Sequence, residues 1–330
     1  MGACVGSFIN VVIYRLPRIL EKQWMAECIS FLREYLLTSN TNEGSAAQIE
    51  VIQNKKTQSK PTIDDKTTDI SETEKNFPWL NDTNKQNFSK LLDTVENEYK
   101  KIQGSSKFNL IVPRSHCPAC KTKIPLYRNI PIFTWLIQRG KAHCCAARIS
   151  PRYFIVELIA TILTVTAVIF FGLTPQGAFA VIFLLMVLAL AGIDYETQLL
   201  PDTLTLGLMW IGLSINVFGT FVDIGDSVFG AIFGYSILWI LYQIHKLISG
   251  IEGMGYGDFK ITAAFGAWFG WKIIPVVLII GAISGIVIAL LSSRVRKSPR
   301  LEPISFGPPL CLGAVISLFY GKDIIGILGY

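Results

Sequence analysis

From Tyr153 to its end the chain is a succession of apolar segments, most of them about as long as a membrane crossing. They run Tyr153–Phe171, Gly177–Ile193, Leu204–Phe221, Val228–Ile248, Ile273–Leu291 and Phe306–Tyr320, with Ile324–Leu328 extending the last beyond Gly321. A helix needs about 20 apolar residues to cross a bilayer. In lipid, a spanning segment must satisfy its own backbone, which favours helices. Ile261–Trp271 is short and Gly-rich and reads as a tilted or partly buried span. Met1–Ile13 is apolar but short and reads as the second half of a span, with residues expected to be missing ahead of it. Counting that stub, the expectation is an all-α polytopic membrane protein of about eight transmembrane helices. Composition agrees: 51% of residues are hydrophobic, mean hydropathy is +0.44 and only 16% are charged, against about 25% in soluble domains. The first apolar stretch lacks the basic start and small-residue cleavage site of a signal peptide.

Charge sets the expected orientation. Arg15, Arg18, Lys22, Lys141, Arg148 and Arg152 flank the first long loop, and Arg294, Arg296, Lys297 and Arg300 follow the seventh span. The opposite loops are bare or acidic, with Asp223 and Asp226 lacking basic neighbours. By the positive-inside rule the basic loops are cytoplasmic. The net charge of +6 is explained by that rule and does not point to nucleic acid.

Three regions follow: 1–15, a first transmembrane helix; 16–151, a cytoplasmic domain; and 152–330, the membrane-embedded part. Within the second, Leu20–Leu37 has helical spacing of apolar residues. An insert at about 38–106 is polar and poor in aliphatics, so most of it is expected to be disordered. Phe77–Leu80 and Phe88–Tyr99 are the exceptions, expected to form a short amphipathic turn and helix.

Two ionisable residues sit at the ends of very apolar runs: Asp194, closing Leu190–Asp194, and Asp258, closing Gly253–Asp258. Ionisable groups at such depth are expensive, and function is the default reason for them. Two spans separate them, and an even number of crossings returns the chain to the same face, so the carboxylates can meet. Facing carboxylates cannot both ionise cheaply; they share a proton and titrate as a unit. One then takes a proton from water while the other polarises a carbonyl, which is peptide hydrolysis without a covalent intermediate. Gly255 and Gly257 precede the second aspartate and let a substrate backbone approach. Helix capping is the alternative for Asp258. Asp194 at a helix C-terminus opposes the helix dipole, which disfavours a structural role. Asp202, after Pro201, reads as an ordinary N-cap. A cation relay in a transporter or channel is a further alternative for the aspartates.

Four of the seven cysteines fall between 117 and 145. Cys117 and Cys120 form a CxxC knuckle, and Cys144 and Cys145 end Ala142–Cys145. Two such knuckles supply the four ligands of a structural tetrahedral zinc. Cys117, Cys120 and Cys145 are natural ligands, and the fourth is Cys144 or His143. The expected product is a small zinc-ribbon-like domain between the first and second spans. Cys4, Cys28 and Cys311 read as buried small apolar residues.

These motifs, in this order, resemble the type IV prepilin peptidases, which are bifunctional leader peptidases and N-methyltransferases. The residues that carry the likeness are Gly6–Pro17, Pro113–Cys120, Asn129–Pro131, Arg139–Lys141, Ile149–Tyr153, Asp194–Asp202, Gly255–Lys260 and Phe306–Pro308. The likeness covers nearly the whole chain outside the polar insert. It implies a membrane-embedded Gly-x-Gly-Asp aspartyl protease in the bacterial inner membrane, with Asp194 and Asp258 as catalytic residues in 152–330. Prepilins and pseudopilins are its implied substrates, cut after a glycine at the cytoplasmic face. It also implies S-adenosylmethionine-dependent methylation of the new N-terminus, and partners limited to those substrates and membrane lipid. The chain departs from the family's pattern at Ala142, where a second cysteine pair would begin, and in the length of its insert. No Rossmann-like glycine fingerprint marks a place for S-adenosylmethionine. A peptidase that lacks the methyltransferase is the nearest alternative.

Overall fold

The computed structural model describes residues 2–41, 82–103, 109–110, 116–117, 119–123, 135–136, 140–250, 253–295 and 305–328. The turn expected at 77–80 and the motifs at 129–131 and 139 lie outside these residues. The described helices are α1 (Gly2–Thr41), α2 (Asp82–Gln103), α3 (Pro151–Phe171), α4 (Pro175–Thr197), α5 (Asp202–Asn216), α6 (Ile224–Ser249), α7 (Tyr256–Phe269), α8 (Ile274–Val295) and α9 (Gly307–Leu328), with a short 3₁₀ turn at Trp271–Ile273. The chain divides into two compact units, Met1–Arg18 with Asn109–Tyr330, and Ile19–Phe108.

In the smaller unit, α2 takes in the helix expected at Phe88–Tyr99 and is longer at both ends. Leu92 is buried, and Arg33 of α1 pairs with Asp93 at 3.0 Å and Glu96 at 2.5 Å. α1 also differs from the expectation: stub and following helix are one element, carried through Pro17. A proline removes one helical hydrogen bond. Ile13, four residues earlier and 1% exposed, shows that packing holds this stretch in place.

The larger unit is the membrane body. Its helix starts are written in the sequence. Pro151 and Pro175 occupy first turns, Thr174 accepts from the Gly177 amide at 3.1 Å, and Asp223 accepts from the Gly225 amide at 2.9 Å. Such caps satisfy amides that the helix itself leaves unpaired. Among the described residues, five helices are long and apolar enough to cross a membrane: α3, α4, α6, the stretch Trp271–Leu291 that includes most of α8, and α9. Their outer faces are not core. Ile279, Ile283, Ile286 and Leu290 of α8 recur at helical spacing and are all exposed, as a surface solvated by lipid requires. This is a helical membrane protein.

The core gathers around α4 and α7. Phe183, Leu184, Leu190 and Ile193 of α4 are sealed, as are Phe259, Ile261, Phe265 and Trp268 of α7. α7 is the segment expected to be tilted or partly buried; it is 14 residues long and enclosed mainly by α5 and α6. Gly230 of α6 and Gly266 of α7 let the two backbones touch, since a Cβ on either would strike the other's carbonyl. Close approach through small residues is how membrane helices gain packing energy. At the far end of α5, Asn216 donates to the carbonyls of Ala267 (2.9 Å) and Trp268 (3.1 Å) and accepts from the Phe221 amide (3.1 Å). Those bonds close the α5–α6 turn onto the end of α7.

Candidate active site

Asp194 stands one turn before the end of α4, where Gln198 adopts a left-handed conformation and its amide closes on the Asp194 carbonyl at 2.9 Å. Asp258 stands in the first turn of α7, three residues past the N-cap position of Gly255. α5 and α6 separate them in the chain, and Asp194 lies near enough to Asp258 to act on it electrostatically. Both are nearly sealed, at 5% and 8% exposure.

Asp194 is held from α9. The Ser305 hydroxyl and the Gly307 amide both donate to its Oδ2, the amide at 3.0 Å. Glycine is required there, because a Cβ at position 307 would stand 2.8 Å from Asp194 Cγ. Cys311, one turn further along α9 and buried as expected, lies within reach of both charges. The Phe306–Pro308 motif was visible in the sequence, but its contact with Asp194 and the part played by Ser305 were not. No local pattern encodes a bond between positions more than a hundred residues apart.

One expectation about caps is corrected, and the capping alternative for Asp258 is not adopted by the fold. Asp202 is not the N-cap of α5: Pro201 holds that position, and Asp202 lies in the first turn, paired with Lys260 of α7 at 2.6 Å. A carboxylate there still suits the helix dipole. Asp258 does not cap α7 either, since Gly255 occupies that place. The two glycines differ. A Cβ at Gly257 would press on the Leu200 side chain at 2.9 Å, whereas at Gly255 nothing lies within 4 Å.

The cysteines form a second cluster. Two short loops repeat one hydrogen-bond pattern. In the first, the Cys117 amide donates to the Thr122 carbonyl and the Lys121 amide to the Cys117 carbonyl, both at 2.9 Å. In the second, the Ala142 amide donates to the Ala147 carbonyl and the Ala146 amide to the Ala142 carbonyl, both at 2.8 Å. Lys121 and Ala146 share a positive φ, 60° and 55°. Ala142 is thus the counterpart of Cys117, and Cys145 of Cys120. Cys144 takes the vacant role: the sulfurs of Cys117, Cys120, Cys144 and Cys145 lie within 4.8 Å of one another. The separations Cys120–Cys144 (3.2 Å), Cys117–Cys145 (3.6 Å) and Cys144–Cys145 (3.8 Å) are near the roughly 3.8 Å that tetrahedral metal–sulfur bonds of about 2.3 Å impose. The set therefore fits a tetrahedral ion. The Thr122 hydroxyl and backbone, then Cys144, draw the Cys120 thiol down to about 6, and the hydrogen bond to Cys120 pushes Cys144 up to about 12. Cys28, expected buried, is exposed on α1.

Fold and site together define a polytopic helical membrane protein with two buried aspartates, one acting electrostatically on the other. The model of the type IV leader peptidase family matches residues 181–290, and that of the bacterial peptidase A24 N-terminal domain matches residues 1–171. The prepilin leader peptidase/N-methyltransferase of Aeromonas salmonicida strain A449 is 37% identical over 97% of this chain and 88% of its own. The proteins of the same name from Pseudomonas aeruginosa and Pectobacterium carotovorum are each 34% identical, over 98% and 96% of this chain and 89% and 90% of theirs. No solved structure matches. The chain belongs to the type IV leader peptidase family.

Proposed function

We propose that this protein removes the leader of prepilins and pseudopilins by hydrolysis at Asp194 and Asp258, and then methylates the new N-terminus with S-adenosylmethionine. The observation that supports the first activity is a pair of nearly sealed carboxylates, Asp194 close enough to act electrostatically on Asp258 and itself fixed by Ser305 and Gly307. Two such groups suit general acid–base attack by water on a peptide carbonyl. Gly255, at the start of α7, has open space where a side chain would stand. The second activity rests on the relatives' name, and no residue of this chain is assigned to the methyl donor.

The reading extends to topology. α5, α7 and the first part of α1 join the five long spans to make eight crossings. The ends of α4 and α5 that carry Asp194 and Asp202, and the start of α7, then face the cytoplasm of a bacterial inner membrane. Residues 1–15 form the first span, 16–151 the cytoplasmic domain, and 152–330 the protease body. The cysteine cluster holds a structural zinc through Cys117, Cys120, Cys144 and Cys145, which would tie the two loops together; it takes no part in hydrolysis.

The test is co-expression with a prepilin and intact-mass measurement of the product. Wild type is expected to give a shortened pilin carrying one extra methyl. Asp194→Asn and Asp258→Asn are each expected to leave the leader in place. Leader loss with both variants refutes the aspartate assignment, and a shortened pilin without the methyl refutes the second activity.

A further inference from the structure

The two carboxylates are unlike in their surroundings. Asp194 Oδ2 takes two donors, the Ser305 hydroxyl and the Gly307 amide. Both address the same oxygen, which leaves Oδ1 for a third partner. Among the described residues no hydrogen bond reaches the Asp258 carboxylate, although Thr262 donates to its backbone carbonyl at 2.7 Å. Its neighbours Phe259 and Ile261 are fully buried. Donors aimed at one carboxylate favour its ionised form, because hydrogen bonds to a charged acceptor are stronger than those to a neutral one. A carboxyl without donors, in apolar surroundings, is the better holder of the shared proton.

We infer that Ser305 is a positioning residue that makes Asp194 the ionised, water-activating member of the pair and leaves Asp258 as the acid. The inference rests on the aspartyl-protease reading above and adds a direction to it. Water attacks the scissile carbonyl carbon while Asp194 Oδ1 takes one of its protons, and Asp258 gives its proton to the carbonyl oxygen. A tetrahedral gem-diol results. On collapse, Asp194 passes its proton to the departing amine nitrogen. The C–N bond breaks, and Asp258 recovers a proton from the gem-diol hydroxyl that becomes the new carboxyl. Protons balance, and the pair returns to its starting state. Gly307 contributes through its backbone, so Ser305 is the donor that a substitution can remove.

Of the neighbouring elements, α7 brings Asp258 to Asp194 and α9 brings Cys311. Glu196 is paired with Arg152 and Asp202 with Lys260, and α3, packed against α4, carries the fully buried Glu157.

The test uses the purified full chain in detergent with a synthetic prepilin peptide. Rates are measured across pH for wild type, Ser305→Ala, Ser305→Thr and Asp194→Asn. Loss of one charge-assisted donor is expected to lower kcat about tenfold in Ser305→Ala. KM should stay within about twofold, as expected of a residue that acts through Asp194. The acid limb of the kcat/KM profile should move to higher pH, because an ionised base stripped of a donor takes up its proton sooner. Ser305→Thr keeps the hydroxyl and should restore both. If Ser305→Ala does not fold, Ser305→Cys, similar in size and a weaker donor, makes the same comparison. Wild-type kcat and profile in the alanine variant overturn the inference. So does a loss that threonine fails to restore, or one that leaves the acid limb in place. Cleavage by Asp194→Asn overturns the protease reading itself, a different outcome from any of these.

Discussion

The Gly307 amide meets Oδ2 of Asp194 at 3.0 Å across 113 residues of sequence. The space between them is closed to any side chain: a Cβ at 307 would stand 2.8 Å from Asp194 Cγ. Gly307→Ala must therefore move the carboxylate or the start of α9. Misplacement of a catalytic group by about 1 Å costs about 100-fold in rate. The expected result is at least that loss of leader cleavage, read as intact mass of a co-expressed prepilin, with the variant still present in membranes. Normal processing would show that the carboxylate is not held from this side.

Gly255 and Gly257 separate packing from access. Gly257→Ala presses on Leu200, and overpacking costs about 1–3 kcal/mol, so its thermal unfolding in detergent should shift to lower temperature. Gly255 has φ −79° and ψ 146°, which any residue adopts, and nothing lies within 4 Å of a Cβ there. Gly255→Ala should unfold like wild type, within about 0.5 kcal/mol, while cleaving more slowly if substrate backbone passes over it. Unchanged cleavage would remove Gly255 from the substrate path.

The repeated loop pattern makes a prediction about metal. Wild type is expected to carry one zinc per chain by elemental analysis, and Cys144→Ser to carry substantially less. Because Ala142 is the counterpart of Cys117, the double variant Ala142→Cys with Cys144→Ser should regain the ion. Stoichiometry that ignores Cys144 altogether would point to His143 or to another ligand.

Asn216 offers a stability test away from the carboxylates. Its side chain joins the carbonyls of Ala267 and Trp268 to the Phe221 amide, at 1% exposure. Asn216→Ala takes this partner from the Trp268 carbonyl and the Phe221 amide, while Ser227 still donates to the Ala267 carbonyl, at a cost of about 1–3 kcal/mol. The transition temperature should fall, and cleavage measured well below it should persist. A variant as stable as wild type would mean that the turn closes without this residue.

Much of this was legible in the sequence because membrane proteins write their exceptions plainly. Asp194 and Asp258 stand out against apolar runs, and both are buried in the fold. The long spans follow from the length of their apolar segments, and Cys117 and Cys120 from their CxxC spacing. What was not legible depends on contacts between distant positions. Met1–Ile13 and Leu20–Leu37 read as separate segments, yet packing around Ile13 holds α1 through Pro17 as one helix. Asp202 reads as a cap because it follows a proline, and only the fold supplies Lys260 as its partner. Spacing leaves Cys144 and His143 equal as ligands; the backbone of the second loop turns Cys144 toward the other sulfurs. Ser305 and Asn216 are small polar residues whose importance lies wholly in what the fold places beside them.

The tie between α9 and Asp194 also has a consequence in time. A growing chain that has already made both aspartates still lacks Ser305 and Gly307, which come later in the sequence than either of them. The setting of Asp194 is thus completed only after the segment that carries its two donors has been made and packed. Chains interrupted between Asp258 and Ser305 carry the same aspartates in an unfinished setting.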